Sequence, residues 1–581
     1  MALEVVGGAF LSASLQLLFD RMASKQVVDF VREKNVDDEL LNKLKIKLSS
    51  INKVLDDAEK KQLADPAVRK WLNELKHTVY NTEDLVYEIH TEALRCEIEG
   101  EFCLRLDDND SKVVSSNARH LSCMGYGRSI KNLEAPFENK LWRTLLRNGL
   151  ESSDFEPMQT MQCLRVLRCI PISPLPDSIG NLKLLRYLDL SWSRIEAIPD
   201  TVCTLYNLQT LKLTSCHNFR CLPNSIGNLK NLRYLNLSLT AVKQLPETIC
   251  NLPDLRTLSL SYCRSLSRLP NSMARLTNLR HIDIEGTYLE EMPPQMSALK
   301  FLEKLSYFIV GKDSGSSIEE LEKLSNLRGS LGIRRLENIV NVEDVSVANA
   351  LMDKKYLTRL SLEWDNDVDD SREAKKLLER LEPPINVEEL AIANYGGTSF
   401  PDWVGRDLFC RLGKMELKNC QNCYLLPPLG QRPSRKQLCV EGFDMVERIG
   451  HEFYCGGSSS NSMTRPFKSL EFLKFSDMSS WEEWLLMEGE QEDGDFPKLR
   501  RLVLQNCPKL SAAYLPDYLP SLNTLRISGC KKLLASLQGD QLPTLEVLEL
   551  SCCPEVESFP EGRLPSTIHT IRISRRDGLR I

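Results

Sequence analysis

No stretch of this 581-residue sequence reads G-x-x-x-x-G-K-[ST], the loop whose glycines admit a phosphate to the backbone and whose lysine supplies charge. Its two Gly-Lys pairs, Gly311-Lys312 and Gly413-Lys414, are followed by Asp313 and Met415, and Ser306 and Leu408 stand where the first glycine belongs. A nucleotide-phosphate cradle of that kind is excluded. Histidine is scarce, at seven residues without a nucleophile motif nearby, so catalysis finds no support. Net charge is small, −6, and bulk electrostatics therefore favour no nucleic-acid partner. The nineteen cysteines are an odd number scattered along the chain, a pattern of reduced thiols in the cytosol rather than of paired disulfide caps. Cys420 and Cys423 form a lone C-x-x-C with no second pair at zinc spacing, and no metal site is expected. Long apolar runs are also missing. The uncharged stretch from Val5 to Phe19 falls short of a membrane span, and with Glu4 before it and Asp20-Arg21 after it reads as an apolar helix, not a signal peptide.

What the sequence has instead is a period. Pro176, Pro199, Pro223, Pro246, Pro270 and Pro293 follow one another at gaps of 23, 24, 23, 24 and 23. Between them lie L-x-x-L-x-L runs: Leu185/Leu188/Leu190, Leu208/Leu211/Leu213, Leu232/Leu235/Leu237, Leu255/Leu258/Leu260 and Leu279/Ile282/Ile284. This is the leucine-rich-repeat signature. Each unit is a short strand and a return segment that cannot bury its own apolar face, so units must stack, leucines inward and intervening residues outward on a concave parallel sheet. Looser copies continue through Leu357/Leu360/Leu362 and Leu499/Leu502/Leu504 to Ile568/Ile571/Ile573. Cys216, Cys263, Cys507, Cys530 and Cys553, at strand ends, read as packing residues. Two stretches read as exits from the solenoid: Glu363 to Pro384, acidic then helical, and Cys455 to Arg465, a Gly/Ser loop.

Ahead of the repeats the period becomes helical. Leu41, Leu44, Leu48, Ile51, Leu55 and Ala58 recur in steps of three and four, and a second stripe begins at Asp65-Pro66 and runs through Val68, Trp71, Leu75, Val79, Val86 and Ile89. With the apolar leading helix these predict a four-helix coiled-coil bundle over 1–97. The expected organisation is that bundle, a linker over 98–160, and a leucine-rich-repeat horseshoe, an α/β solenoid, over 161–581.

The lines FLSASLQLLFDRMAS, LSSINKVLDDAEKKQLADPAVRKWLNELK and EDLVYEI resemble the Rx-type coiled-coil domain of plant coiled-coil, nucleotide-binding, leucine-rich-repeat disease-resistance proteins. EDLVYEI is similar to the family's acidic E-D-V-I-D motif, with Tyr87 where the family has Asp. The repeats resemble the same family in LPDSIGNLKLLRYLDLS and LPNSIGNLKNLRYLNLS. Together the two resemblances cover nearly the whole chain. Family members carry a nucleotide switch between bundle and repeats; here 98–160 is too short for one, and GEFCLRL and ARHLS resemble sequence that follows it. ADP or ATP is thus expected only in full-length relatives, and no cofactor in this chain. The resemblance implies a cytoplasmic plant-defence protein, peripheral to the plasma membrane at most, that recognises a pathogen effector or a guarded host protein and pairs with other coiled-coil resistance proteins. Without the switch its role would be adaptor, decoy or regulator. The alternatives are an extracellular repeat protein, which would need a leader and paired cysteine caps, and a non-functional remnant.

Two sets of residues are candidates for contact. Arg165, Arg186, Arg233, Arg256 and Arg280, with Gln209 among them, occupy the position after the first leucine and form a basic column. The family resemblance implies that Glu83 and Asp84 dock there. Outward-facing Tyr187, Asp189, Trp192, Lys212, Tyr234, Tyr262, His281 and Asp283 suit protein recognition, with aromatics set among charges. One rung carries a defect: Arg432 and Arg435 stand where relatives have leucine, and a buried Arg435 is expected to displace or fray the strand that follows.

Overall fold

The computed structural model describes residues 103–106, 119–123, 142–148, 161–172, 174–312, 317–339, 350–365, 371–406, 409–431, 434–454, 466–485, 495–511, 519–530, 532–533, 542–551 and 567–574. The expected helical bundle, with Glu83 and Asp84, lies outside them, as does the loop expected over 455–465. The chain divides into two compact units, 1–170 and 171–581.

In the first unit, β1 (Cys103–Leu106), β2 (His120–Cys123), β3 (Thr144–Asn148) and β4 (Val166–Ile170) pair in parallel and in chain order. Leu104, Leu121, Leu145 and Leu167 share one register position. The linker expected over 98–160 is therefore corrected: three strands of solenoid type fall within it. They lack the proline punctuation that reveals the later rungs, yet Leu121, Leu145 and Leu167 keep spacings near a repeat and are buried.

The second unit opens with the regular rungs. β5 (Tyr187–Asp189), β6 (Thr210–Lys212), β7 (Tyr234–Asn236), β8 (Thr257–Ser259), β9 (His281–Asp283) and β10 (Lys304–Leu305) pair in parallel without a crossover. The residue at the centre of each of the first five strands, Leu188, Leu211, Leu235, Leu258 and Ile282, is at most 1% exposed. The prolines act where the chain turns back. Pro176, Pro199, Pro223 and Pro246 hold extended backbone (φ −66° to −80°) and each precedes a five-residue 3-10 helix. Each proline carbonyl accepts the amide three residues on, as in Val202 N–H to Pro199 at 3.0 Å. Proline suits this place because its φ is preset and no amide is required of it. The 3-10 helices stack so closely that a Cβ on Gly227 would stand 2.5 Å from the Thr248 carbonyl oxygen.

A second parallel sheet follows. It runs β11 (Tyr307–Ile309), β12 (Arg328–Arg334), β13 (Tyr356–Glu363), β14 (Glu389–Ala393), β15 (Lys414–Lys418) and β16 (Gln437–Glu441). Next in the chain comes the short β17 (Arg448–Ile449), then β18 (Phe472–Ser476) beside β16, and β19 (Glu483–Trp484), which pairs with β17 alone. The sheet ends with β20 (Arg501–Gln505), β21 (Thr524–Ser528), β22 (Val547–Ser551) and β23 (Thr570–Ser574). A helix, Ser371–Arg380, leaves the solenoid where the sequence predicts one. Rings fill the wider rungs: Phe475 lies 4.8 Å from Trp481, and the Trp484 indole donates to the Tyr454 hydroxyl at 2.9 Å. Large aromatics bury enough surface to replace the missing leucines.

The expected fraying after Arg435 does not occur. Arg435 is fully buried, yet β16 keeps complete register with both neighbours. The guanidinium is accommodated by donating to the Leu429 carbonyl at 2.7 Å and to the Met415 sulfur at 3.4 Å. A buried charge that finds carbonyl acceptors need not open the strand beside it.

Candidate recognition surface

The strand face of β5–β10 places two outward columns in register. One holds Tyr187, Thr210, Tyr234, Thr257, His281 and Lys304; the other holds Asp189, Lys212, Asn236, Ser259 and Asp283. Lys212 stands between rings, its Nζ 5.4 Å from the centroid of Tyr187 and 5.6 Å from that of Tyr234. A cation held over two aromatic faces is attracted by both quadrupoles. Burial works to lower the Lys212 ammonium, but Tyr187, Tyr234 and Asp189 outweigh it and hold it above its ordinary range. Burial, then Asp189, raises the Tyr187 phenol. Lys212, Tyr187 and Tyr234 therefore form a preset group on the face.

Other candidates serve their own turns. Asp189 is buried, its carboxylate accepting from the Ser191 amide at 3.0 Å and the Ser191 hydroxyl at 2.5 Å. Its expected place on an exposed surface is corrected accordingly. Asp283 accepts the Glu285 amide at 3.1 Å in the same manner, though it stays half-buried. His281 reaches Thr257 at 3.4 Å and Glu303 at 3.9 Å.

The basic column is a backbone ladder. The amide of Gln209 donates to the carbonyl of Arg186, Arg233 to Gln209, Arg256 to Arg233, and Arg280 to Arg256. Arg186, Arg233 and Arg256 are exposed, and no acidic side chain pairs with Arg186 or Arg233 among the described residues. Arg280 differs. The next rung of the ladder is Glu303, only 7% exposed, which takes Arg280 at 3.8 Å and Arg328 in a closer pair. Within the first unit Arg165 is likewise exposed and its amide donates to Arg143, whose own donates to Arg119. Glu303, Arg119 and Arg143 were missed from sequence because their rungs lack a clean L-x-x-L-x-L frame.

A further column lies just past the strands. Trp192, Ser215, Leu239, Tyr262 and Gly286 all have φ between 58° and 67°. Each of the first four donates its amide to the carbonyl of the residue before its successor, from Trp192 to Thr214 at 2.8 Å through Tyr262 to Glu285 at 2.6 Å. The left-handed region costs a residue with a Cβ about 1–2 kcal/mol, least for Asn and Asp. In the second sheet the same place is held by Arg335, Asn394, Asn419, Gly442, Asp477, Asn506 and Gly529, all but Arg335 being residue types that suit it. Trp192, Leu239 and Tyr262 do not suit it, and they are 64%, 38% and 43% exposed. Leu239 was overlooked in the sequence although its 23- and 24-residue spacing to neighbours was legible.

One position later, small donors recur. The thiols of Cys216 and Cys263 donate to the carbonyls of Leu190 and Leu237 at 3.2 and 3.0 Å, and Thr240 and Thr287 hydroxyls bond Leu237 and Ile284, both at 2.7 Å. Burial pushes Cys216 up to about 11 and Cys420 up to about 12. Cys423 is buried with its thiol on the Gly397 carbonyl at 2.9 Å. Among the described residues no cluster of three or more His, Cys, Asp or Glu could hold a metal ion, and no helix is long and apolar enough to cross a membrane. A cavity of about 260 Å³ adjoins Tyr288, but its Arg334 and Arg335 are matched by Glu363 at 2.9 Å and Asp365 at 3.3 Å.

Three family models match the chain: the Rx N-terminal domain over 10–122, a leucine-rich repeat region over 141–232, and the R13L1/DRL21 leucine-rich repeats over 318–443. A protein of Arabidopsis thaliana named as a disease resistance protein is 34% identical over 80% of this chain and 30% of its own length. Disease resistance protein RGA2 of Solanum bulbocastanum is 33% identical over 37% of this chain and 22% of its own. The chain thus spans less than a third of the length of these relatives. Among solved structures, a leucine-rich-repeat protein of Leptospira interrogans is similar at 20% identity and a TM-score of 0.44, covering 79% of this chain and 93% of that one. With an Rx N-terminal domain, leucine-rich repeats and relatives of this kind, the chain belongs to the plant disease-resistance proteins of the coiled-coil, nucleotide-binding, leucine-rich-repeat type.

Proposed function

We propose that the chain acts by binding, not catalysis, in plant defence. Its repeats would recognise a pathogen effector or a guarded host protein, while the N-terminal domain pairs with other coiled-coil resistance proteins. The observation that carries this reading is the strand face of β5–β9, where Lys212 is preset between Tyr187 and Tyr234 beside the exposed Arg186 and Arg233. Ordered aromatics and guanidinium groups lose little freedom on contact with a partner, and such residues dominate protein interfaces. Since the sequence holds no phosphate-binding loop, the role is that of an adaptor, decoy or regulator, in the cytoplasm or peripheral at the plasma membrane. On the same reading Glu83 and Asp84 dock on the arginine column when no partner is present.

The test is recovery of the full chain from plant tissue with identification of bound proteins, repeated with Tyr187→Ala/Tyr234→Ala. A specific effector or host protein captured by the parent and lost in the variant is expected. Equal capture by both would move recognition off this face, and retention of ADP or ATP would overturn the reading of a chain without a nucleotide switch.

A further inference from the structure

The left-handed column distinguishes the two sheets of the second unit. Where the second sheet places Asn, Asp or Gly after six of its strands and Arg335, paired with Asp365, after a seventh, the first places Trp192, Leu239 and Tyr262. Their own fold does not repay the strain by burial, since all three are exposed. Strained residues retained without a packing benefit point to function. The amide ladder stacks their rungs, so at about 4.8 Å per rung the three span about 15 Å of surface. Tyr262 is further fixed: its ring lies where a Cβ on Gly286 would come within 2.6 Å, and its hydroxyl donates to Glu285 at 3.3 Å. Tyr288, 69% exposed, follows on the Gly286 rung.

This ridge borders the exit side of the strands, and Arg186, Arg233 and Arg256 are exposed on their entry side. Charge and apolarity are thus presented at opposite ends of the same strands. We propose that Trp192, Leu239 and Tyr262 form the apolar anchor of a docking surface for an acidic polypeptide segment, one that sets apolar side chains on the ridge and carboxylates against the arginines. The assignment rests on the reading of the repeats as a recognition surface and specifies the chemistry of what is recognised. Apolar contacts hold the segment, while the arginines attract it and set its orientation.

Random 16-residue peptides displayed on phage are selected against the immobilised full chain, and the enriched sequences are measured on a Trp192→Asn/Leu239→Asn/Tyr262→Asn variant. The enriched peptides should combine Leu, Phe or Trp with Asp or Glu and should bind the variant at least tenfold more weakly. Arg186→Glu/Arg233→Glu should weaken them to a similar degree, with the loss reduced in high salt. Because asparagine suits the left-handed region, the triple variant should melt at the same temperature as the parent or higher. No enrichment, enrichment of basic or purely polar peptides, or unchanged binding to the triple variant would overturn the proposal. A lower melting temperature would also overturn it, by assigning the three side chains to the fold. Neither measurement requires an effector or a host protein, so failure here is separable from failure to capture one.

Discussion

A buried lysine shows how much a single side chain can set. Lys354 is fully buried with its ammonium 3.3 Å from the Glu322 carbonyl, and burial lowers its pKa from 10.5 to about 8. Below pH 8 the group is charged in both folded and unfolded chains, and its desolvation cost is fully present. Between about 8 and 10.5 the unfolded chain binds more protons, so stability should rise with pH across that window. Lys354→Met is expected to stabilise the protein by about 1–3 kcal/mol at pH 7 and to flatten that rise. Thermal melts at pH 7 and 9.5 check it; a less stable variant at pH 7 would show that the carbonyl contact outweighs desolvation. Thiol chemistry follows the same logic of burial. Exposed Cys221 and Cys410 should react with iodoacetamide at pH 7.5, while Cys216 and Cys263 stay unlabelled until the chain unfolds. Labelling of Cys216 as fast as Cys221 would contradict its seat on the Leu190 carbonyl.

At the scale of the element, the unit of construction is a strand, a left-handed exit and a proline-led 3-10 turn. Gly227 sits where adjacent turns touch, and Gly227→Ala should cost about 1–3 kcal/mol, read as a lower melting temperature, because the obstructing atom is backbone oxygen. An unchanged melt would mean the turns can part freely. Arg435 tests the opposite expectation. Since β16 is fully paired, the amides of Leu438 and Val440 should exchange as slowly as those of Leu417 and Phe475; fast exchange confined to β16 would restore the frayed rung. Period and proline made the regular rungs legible, because identical local rules recur in each. The first three strands were not legible, because Leu121 and Leu145 keep the spacing without the punctuation. The Arg435 rung was misread because sequence shows a charge in a core position but not the Leu429 carbonyl that receives it. On the recognition face Tyr187 and Lys212 could be read from alternation alone, whereas Asp189 was misplaced because its turn, closed through Ser191, is a backbone property.

For the whole molecule, the proposed docking of Glu83 and Asp84 on the arginine column predicts a charge-dependent association. Glu83→Lys/Asp84→Lys in the full chain should abolish cross-links between the N-terminal domain and the rungs of Arg186 and Arg233, and Arg186→Glu/Arg233→Glu should restore them. Cross-links indifferent to both changes would remove the docking idea while leaving the repeat surface intact. Surface ion pairs contribute only about 0–1 kcal/mol each, so such an association would be reversible and salt-sensitive.

Glu303 gives that column an end. A row of equivalent arginines offers an acidic chain many degenerate alignments, each displaced by one rung, and such a chain could slide. Gln209 leaves a neutral gap after Arg186, and buried Glu303 already pairs with Arg280 and Arg328, which leaves that end of the column less positive toward an approaching carboxylate than Arg186 and Arg233. A repetitive scaffold thereby acquires a fixed origin from which position along it can be measured.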